Sequence, residues 1–231
     1  MSLLVTPSLI NAVEWLISAP PSWREKAYND LHNQLARKPW TVTIPDVERG
    51  MKFEEQIYST LRTKRDENPE YTCSPEFQTF LDECRGGVFQ KKFSKIVEIE
   101  GKEYCLYGKG DVYFPGHIVD IKACAEYKGT QKYLGTIQHK LYSLVDALSS
   151  GIVPDFLYLV AEFGPCPNMK IRGVHRAEWN PETIYGLKAN TPECVEALRG
   201  DVYERVLRAL GAIYSDSELT KLYETTFSRF N

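Results

Sequence analysis

Hydrophobic residues recur at helical spacing in several segments of this chain. The first segment follows Thr6 and ends before Pro20, and it combines an N-cap residue with an apolar stripe, as amphipathic helices do. The same kind of pattern predicts further helices. They cover residues 23–35, 46–61, 76–84, 131–148, 192–213 and 215–227.

Shorter runs rich in β-branched and aromatic residues predict strands between these helices. They lie at residues 40–44, 88–93, 96–100, 103–107, 112–114, 118–123, 156–163 and 170–179. The run at 156–163 is almost entirely apolar, which is typical of a strand buried on both faces. The succession of elements is that of an α/β protein, and no linker or repeat indicates a second domain. We therefore interpret residues 1–231 as a single domain.

Residues 108–123 predict a β-hairpin, because two extended runs flank the turn signal Pro115-Gly116. If the residues on either side of this turn are partners, Asp111 lies directly opposite Asp120. Like charges in such positions, with Cβ atoms about 4.5–5.5 Å apart, destabilise a sheet. Lys122 shares a face with Asp120, because side chains alternate along a strand. Two carboxylates and a lysine on one patch therefore suggest a bound cation.

The sequence leaves alternatives to this hairpin site. A four-residue loop keeps the same pairing, whereas a three-residue bulged loop slides Asp111 by one position. The other interpretation is an exposed hairpin edge that carries solvated charges. For an isolated Asp-x-Lys this second interpretation is favoured, so the metal hypothesis needs further residues.

Glu54 is such a residue, on the helix predicted at 46–61. It falls within an apolar stripe at helical spacing, formed by Val47, Met51, Tyr58 and Leu61. A carboxylate that faces a core is costly unless it is paired or bound to a metal. Glu54 is therefore a better ligand candidate than Glu55, which lies one step round the helix. The alternative for Glu54 is a salt bridge at the rim of the core.

Composition is that of an ordinary soluble globular protein, with 43% hydrophobic and 26% charged residues. No apolar run approaches the roughly 20 residues that span a bilayer. Residues 1–10 lack the pattern of a secretory signal, so we expect a cytoplasmic protein without a membrane partner. The six cysteines are scattered without a C-x-x-C pair, which indicates reduced thiols rather than a metal cluster or a disulfide scaffold.

Charge is unevenly distributed along the chain. The net charge of −3 argues against an indiscriminately basic nucleic-acid binder. Residues 85–140 nevertheless carry ten Lys and Arg against six Asp and Glu. This central stretch contains the hairpin, so positive charge that faces phosphate could be concentrated there. A local fluctuation in composition would produce the same asymmetry.

These elements together resemble the PD-(D/E)-x-K nuclease superfamily, and most of all its RecB-type and phage-exonuclease branch. The branch carries an acidic residue on an early helix, an Asp in a strand, an acidic-x-Lys strand and Q-x-x-x-Y on the next helix. This chain shows Glu54 in Gly50-Met-Lys-Phe-Glu54, then Asp111, Asp120-Ile121-Lys122 and Gln138-His-Lys-Leu-Tyr142. The resemblance covers roughly residues 6–163. One departure is Gly110, which stands where the superfamily motif has a proline.

The resemblance implies a restriction-endonuclease-like core, in which helices flank a mixed central β-sheet. We expect this core at about residues 46–180, with extra N-terminal helices and a helical C-terminal extension at about 181–231. It also implies one or two Mg²⁺ or Mn²⁺ ions, held by Asp111, Asp120, the Ile121 carbonyl and Glu54. Lys122 would stabilise charge in the transition state. Its alternative role is structural, to neutralise the two aspartates.

Gln138 and Tyr142 are the last two catalytic candidates that the resemblance implies. They lie four residues apart and hence adjacent on a helix, where they would orient the cut strand or the metal site. The alternative for Tyr142 is a buried ring whose hydroxyl bonds at the sheet edge. Phosphate contacts are expected of three lysines, which are otherwise ordinary solvated side chains. They are Lys128, Lys132 and Lys140.

Two functions of different classes follow from the sequence. The first is a metal-dependent DNA nuclease, in particular an exonuclease of phage or bacterial recombination and repair. Its partners would be DNA and either further copies of the chain or a recombination protein. The second is a non-cleaving module that binds DNA or protein on the same fold. The intact acidic-x-Lys and both aspartates favour the nuclease, because a non-catalytic module has no need to hold repelling carboxylates together.

Overall fold

The computed structural model describes residues 2–38, 45–63 and 74–228, which form six strands, nine α-helices and one short 3₁₀ helix, Pro21–Trp23. The strands are β1 Leu3–Val5, β2 Val88–Ile99, β3 Lys102–Phe114, β4 His117–Cys124, β5 Asp155–Glu162 and β6 Gly173–Trp179. The first helices are α1 Pro7–Ser18, α2 Arg24–Leu35, α3 Pro45–Thr63, α4 Pro75–Cys84 and α5 Gln131–Leu134. The remaining helices are α6 Gln138–Ser150, α7 Pro181–Tyr185, α8 Pro192–Tyr214 and α9 Ser217–Phe227.

The strands form one mixed sheet, as the fold prediction requires. Its order is β1-β3-β4-β5-β6, and β2 pairs with the other side of β3. The pairs β1–β3 and β4–β5 are parallel, and the other pairs are antiparallel. In the β3–β4 hairpin Phe114 pairs with His117, which confirms the predicted register. Gly116 has φ of 81°, as the third residue of a type II turn requires.

Helices cover both faces of the sheet, and each face has its own hydrophobic core. Alternate residues of β5 show this most clearly, because Phe156 and Tyr158 belong to one core while Leu157 and Leu159 belong to the other. We call the side with α1, α6, α8 and α9 the first face, and the side with α3 and α4 the second face. The apolar residues of β5 are buried, which confirms a strand covered on both sides.

The predicted C-terminal helices, α8 and α9, belong to the first core. Leu198, Val202 and Val206 of α8 are fully buried, and Tyr223 of α9 donates a hydrogen bond to the Leu4 carbonyl (3.1 Å). These helices therefore brace strand β1 as well as the first face. Within the described ranges, no helix has the length and apolarity needed to cross a membrane.

The structure corrects several predicted boundaries. The three short strands predicted between 88 and 107 are parts of two long strands, β2 and β3, joined by a tight turn at Glu100-Gly101. The helix predicted at 131–148 is divided into α5 and α6, so Gln138 is the first residue of its helix. The strand predicted at 40–44 lies outside the described residues.

Helix α3 was predicted with the wrong buried face at its start. Val47 and Met51, assigned above to the apolar stripe, are 56% and 68% exposed. Phe53 and Ile57 are fully buried instead, in the second core. Glu54 therefore lies beside the buried face rather than in the middle of it, where a partly buried carboxylate can reach the sheet.

The β2–β3 ribbon changes faces beside the predicted site. Phe93 and Leu106 belong to the first core, whereas Phe89 and Val112 belong to the second. Each pair from one strand is separated by an even number of residues, so a regular strand would keep both members on one face. Both strands thus rotate between these positions, and the rotation falls at Asp111 and at its opposite residue on β2.

Tyr142 fixes β3 just before this rotation. Its ring stacks on Phe93, with centroids 5.1 Å apart, and its hydroxyl bonds both the N–H and the carbonyl of Lys109 (3.3 and 3.1 Å). A Cβ at Gly108 would lie 1.9 Å from the Tyr142 ring, and a Cβ at Gly110 would lie 2.8 Å from Phe93. The glycine that stands before Asp111 therefore makes room for an aromatic ring.

Gly108→Ala tests this packing. We expect it to lower the free energy of unfolding by about 1–3 kcal/mol, because the new methyl group must displace the Tyr142 ring. Chemical denaturation measures the change. Gly200→Ala is the control, since a Cβ there meets nothing within 4 Å and alanine favours a helix by up to about 1 kcal/mol. Equal stability of Gly108→Ala and the parent would contradict the account.

Candidate active site

The candidate site lies where strands β3 and β4 separate, beside Asp111 and Asp120, and we call this place the fork. Their ladder runs from the turn to the pair Val112–Val119 and ends there. The next residues would be Asp111 and Asp120, which the predicted register places opposite each other. The Asp111 carboxylate fills the gap and accepts a hydrogen bond through Oδ2 from the Ile121 N–H (2.8 Å). The side chain thus replaces the missing strand–strand bond.

Asp120 is fully buried on the first face, where the side chains of Gln138 and Lys122 contact it. Gln138 at the start of α6 donates to Asp120 Oδ1 through its amide nitrogen. The Lys122 ammonium contacts Asp120 Oδ2 as an ion pair, although the angles are not those of a hydrogen bond. Gln138 therefore positions Asp120, and Lys122 compensates its charge.

Glu54 approaches the same gap from α3. Its Oε1 accepts hydrogen bonds from the Tyr58 hydroxyl (2.7 Å) and from the Gln90 amide (2.5 Å). The Gln90 amide also donates to the Tyr58 hydroxyl (2.7 Å), so the three side chains form a closed triangle. Tyr58 Oη lies 3.5 Å from the Asp111 carbonyl, which places the triangle directly beside the fork. Glu55 is exposed, as the sequence predicted.

The electrostatics of the site show a surplus of negative charge. Burial raises the pKa of Asp111 well above its ordinary value, and repulsion from Asp120 and Glu54 raises it further, against the opposing effect of Lys122. Burial alone would lower the pKa of Lys122, but Asp120 and Asp111 outweigh it and raise that pKa. Burial and the Asp111 charge also raise the pKa of Tyr58. The positive charge of Lys122 thus only partly compensates the carboxylates of Asp111, Asp120 and Glu54.

This donor set fits a hard divalent cation, but it is not a preformed cage. Carboxylate and carbonyl oxygens are the ligands that Mg²⁺ and Mn²⁺ prefer. Across the described ranges, no three His, Cys, Asp or Glu side chains are close enough to form a metal site by themselves. Mg²⁺ commonly uses only one or two carboxylates and completes its shell with waters and substrate phosphate. Asp111 and Asp120, with the Ile121 carbonyl between them, could supply such a partial shell.

Tyr142 and the three lysines predicted to contact phosphate all have partners within the protein. The Tyr142 hydroxyl forms hydrogen bonds with the Lys109 backbone, so this side chain positions β3. These contacts agree with the alternative given for Tyr142, a buried ring whose hydroxyl bonds at the sheet edge. Lys140 forms an ion pair with Asp201 (2.7 Å). Lys128 is exposed and 4.0 Å from Glu126, and Lys132 lies over the Tyr133 ring (5.6 Å). Each of these lysines thus has an intramolecular partner.

Sequence analysis missed Gln90 and the partner roles of Tyr58. Gln90 has φ of 56°, a left-handed conformation that costs a non-glycine residue roughly 1–2 kcal/mol. It lies where the ladder with β3 skips the pair with Asp111. Nothing in the alternating pattern of β2 signals this conformation. Tyr58, by contrast, follows Glu54 by four residues, so its contact could have been found from helix geometry.

Comparison with known proteins gives a fold and no family. No family model matches the sequence, and no curated protein matches it. A solved structure of a protein from Eubacterium rectale, named "putative exonuclease", is similar at 14% identity with a TM-score of 0.50, covering 90% of this chain and 80% of that one. The structure of SSO0001 aligns at 12% identity with a TM-score of 0.44, covering 90% and 77%. The likeness to the Eubacterium rectale protein shows a shared fold.

The two aspartates should respond differently to loss of charge. We expect Asp111→Asn to stabilise the metal-free protein by roughly 1–2 kcal/mol at neutral pH, because it removes a buried charge that its surroundings oppose. Asp120→Asn should destabilise it by about 1–3 kcal/mol, because Lys122 loses its partner. Urea denaturation in the presence of a chelator measures both.

The pH dependence gives a second check on Asp111. Its folded-state pKa is raised, so the cost of its charge is absent below about pH 4 and appears as pH rises towards the folded pKa. The advantage of Asp111→Asn should therefore be absent near pH 3 and grow above about pH 4. An advantage that is constant with pH would mean that the charge is not its cause.

Proposed function

We propose that this protein is a metal-dependent nuclease that hydrolyses the phosphodiester bonds of DNA. The observation that carries the proposal is the fork, where Asp111 and Asp120 are held together beside Lys122 with Glu54 close by. The fold is similar to that of the Eubacterium rectale protein named "putative exonuclease", which supports the same class. The order of acidic, acidic-x-Lys and Gln-x-x-x-Tyr residues along the chain supports it further.

Each residue of the fork has a role in this reaction. When bound, Mg²⁺ or Mn²⁺ would acidify a water molecule and offset charge on the scissile phosphate. Asp111, Asp120 and the Ile121 carbonyl would hold the ion. Glu54 would have to move closer to act as a third acidic ligand, since the three carboxylates do not converge on one point in the described ranges. Lys122 is 35% exposed, so its ammonium can turn from Asp120 to a phosphate oxygen as negative charge builds there. Gln138 keeps Asp120 in place.

DNA would reach the fork along the β2–β3 ribbon. Lys92 and Lys109 are exposed cross-strand partners, two positions before Asp111 on the ladder. Such a like-charge pair costs a sheet some tenths of a kcal/mol up to about 1 kcal/mol. Within residues 2–38, 45–63 and 74–228 neither lysine is in an ion pair, unlike Lys140. A phosphate backbone would neutralise both.

The alternative function remains a module that binds DNA or protein without cleavage. It would use the same basic ribbon but would not need the acidic fork. An exonuclease of phage or bacterial recombination would degrade linear DNA only, whereas an endonuclease would also nick circles. Incubation of linear and circular DNA with Mg²⁺ or Mn²⁺ separates the three cases. Absence of cleavage with both metals would leave the binding module.

Variants of the fork test the catalytic assignment. We expect Lys122→Ala and Asp120→Asn to lower the rate of Mg²⁺-dependent cleavage by at least about 10²–10³-fold. The first removes the positive charge that would face the phosphate, and the second weakens a ligand of the ion. The exposed neighbour Glu55→Gln is the matched control and should cleave at the parent rate. The measurement is the initial rate on linear duplex DNA, with circular dichroism to verify folding. Parental rates in either fork variant would reject the site.

The ribbon lysines are tested by the salt dependence of binding. The double variant Lys92→Ala/Lys109→Ala should lower DNA affinity and reduce the slope of log K against log salt by about 2, because two phosphate contacts are lost. Fluorescence anisotropy without divalent ions measures binding without cleavage. Lys128→Ala/Lys132→Ala is the matched pair that sequence analysis favours. A larger change in slope for that pair would place the DNA elsewhere.

A further inference from the structure

Gln90 combines a strained backbone, which lowers the stability of the protein, with side-chain hydrogen bonds, which raise it. Its φ of 56° is one that glycine adopts without strain and glutamine does not. The register to β3 is the same on both sides of the position, and the ribbon changes faces here. The left-handed conformation therefore coincides with the face switch, and not with a turn or a change of register.

The side chain of this residue is held by two contacts. Its amide donates to Glu54 Oε1 (2.5 Å) and to the Tyr58 hydroxyl (2.7 Å), and Tyr58 donates to the same Glu54 oxygen (2.7 Å). Both bonds hold Oε1, and the other carboxylate oxygen, Oε2, accepts no hydrogen bond from the described residues. Gln90 also lies across the ladder from Asp111, at the position where the pairing is interrupted. The side chain thus binds the acidic residue of α3, and the backbone lies across the ladder from the acidic residue of β3.

We propose that Gln90 is a positioning residue that aims the Glu54 carboxylate at the divalent cation of the fork. The inference rests on the proposed function, because it assigns Gln90 a task only if an ion binds there. Glutamine acts through Glu54 and does not itself touch the ion. Groups that orient a metal ligand in this way typically change metal affinity by about 10–100-fold when they are removed.

Two substitutions separate the amide from the backbone. Gln90→Gly removes the amide and relieves the left-handed strain, so it should maintain or raise the melting temperature. Gln90→Met keeps the strain and the approximate shape but removes the donor, so it should lower the melting temperature. Both should weaken binding of Mn²⁺ to the DNA-free protein by about 10-fold or more. Loss of the amide would thus lower metal affinity in both variants, whereas the melting temperature would depend on whether the backbone strain is relieved.

Glu100→Gly is the matched control for strain. Glu100 has φ of 50° in the β2–β3 turn, far along the ribbon from the fork, so glycine relieves similar strain there. We expect this variant to bind Mn²⁺ with parental affinity. Binding is measured by calorimetry, or by the loss of the free Mn²⁺ signal in electron paramagnetic resonance, and neither readout depends on cleavage.

The kinetic signature is equally specific. In Gln90→Gly the Mn²⁺ concentration for half-maximal cleavage should rise about 10-fold or more, with kcat at saturating Mn²⁺ within about threefold of the parent. Parental Mn²⁺ affinity in both Gln90 variants would overturn this inference and leave the nuclease intact. Affinity that falls only in the less stable Gln90→Met variant would overturn it too. If the parent neither binds Mn²⁺ nor cleaves, the proposed function fails first.

Discussion

The repulsion between Asp111 and Asp120 is the constraint on which the candidate site depends. Burial raises the pKa of Asp111, and repulsion from Asp120 raises it further, so the charged form of this carboxylate is disfavoured. The surrounding structure offsets part of it, through the Ile121 N–H on one carboxylate and the Lys122 ion pair on the other. On the proposed function, the remaining negative charge would attract a divalent cation. Such a site would be less stable without the ion and would be stabilised when the ion binds.

Both sides of the fork are held by side chains of helix α6. Tyr142 bonds the backbone of Lys109 and fixes β3, and Gln138, one helical turn earlier, bonds the carboxylate on β4. One helix therefore sets the spacing between the two strands. On the other face the triangle of Glu54, Tyr58 and Gln90 attaches α3 to the same point. The face switch of the β2–β3 ribbon lies between these supports.

Much of this arrangement could be predicted from local signals. Pro115-Gly116 and the alternation that follows it predicted the hairpin register, and an almost entirely apolar run predicted that β5 is buried on both faces. The buried face of α3 could not be predicted, because Val47 and Met51 follow helical spacing but are exposed among the described residues. The left-handed Gln90 was equally hidden, because the alternating pattern of β2 carries no signal of it. Local propensity predicts elements, and tertiary contacts decide which of their faces are buried.

The most direct test of the central claim is anomalous diffraction from a crystal of the protein soaked in Mn²⁺. The account predicts a peak in the gap between β3 and β4, within roughly 2.0–2.3 Å of carboxylate oxygens of both Asp111 and Asp120. A well-ordered crystal with no peak there, or with Mn²⁺ bound only at other acidic residues, would contradict the claim that the two carboxylates form a binding site for a divalent cation.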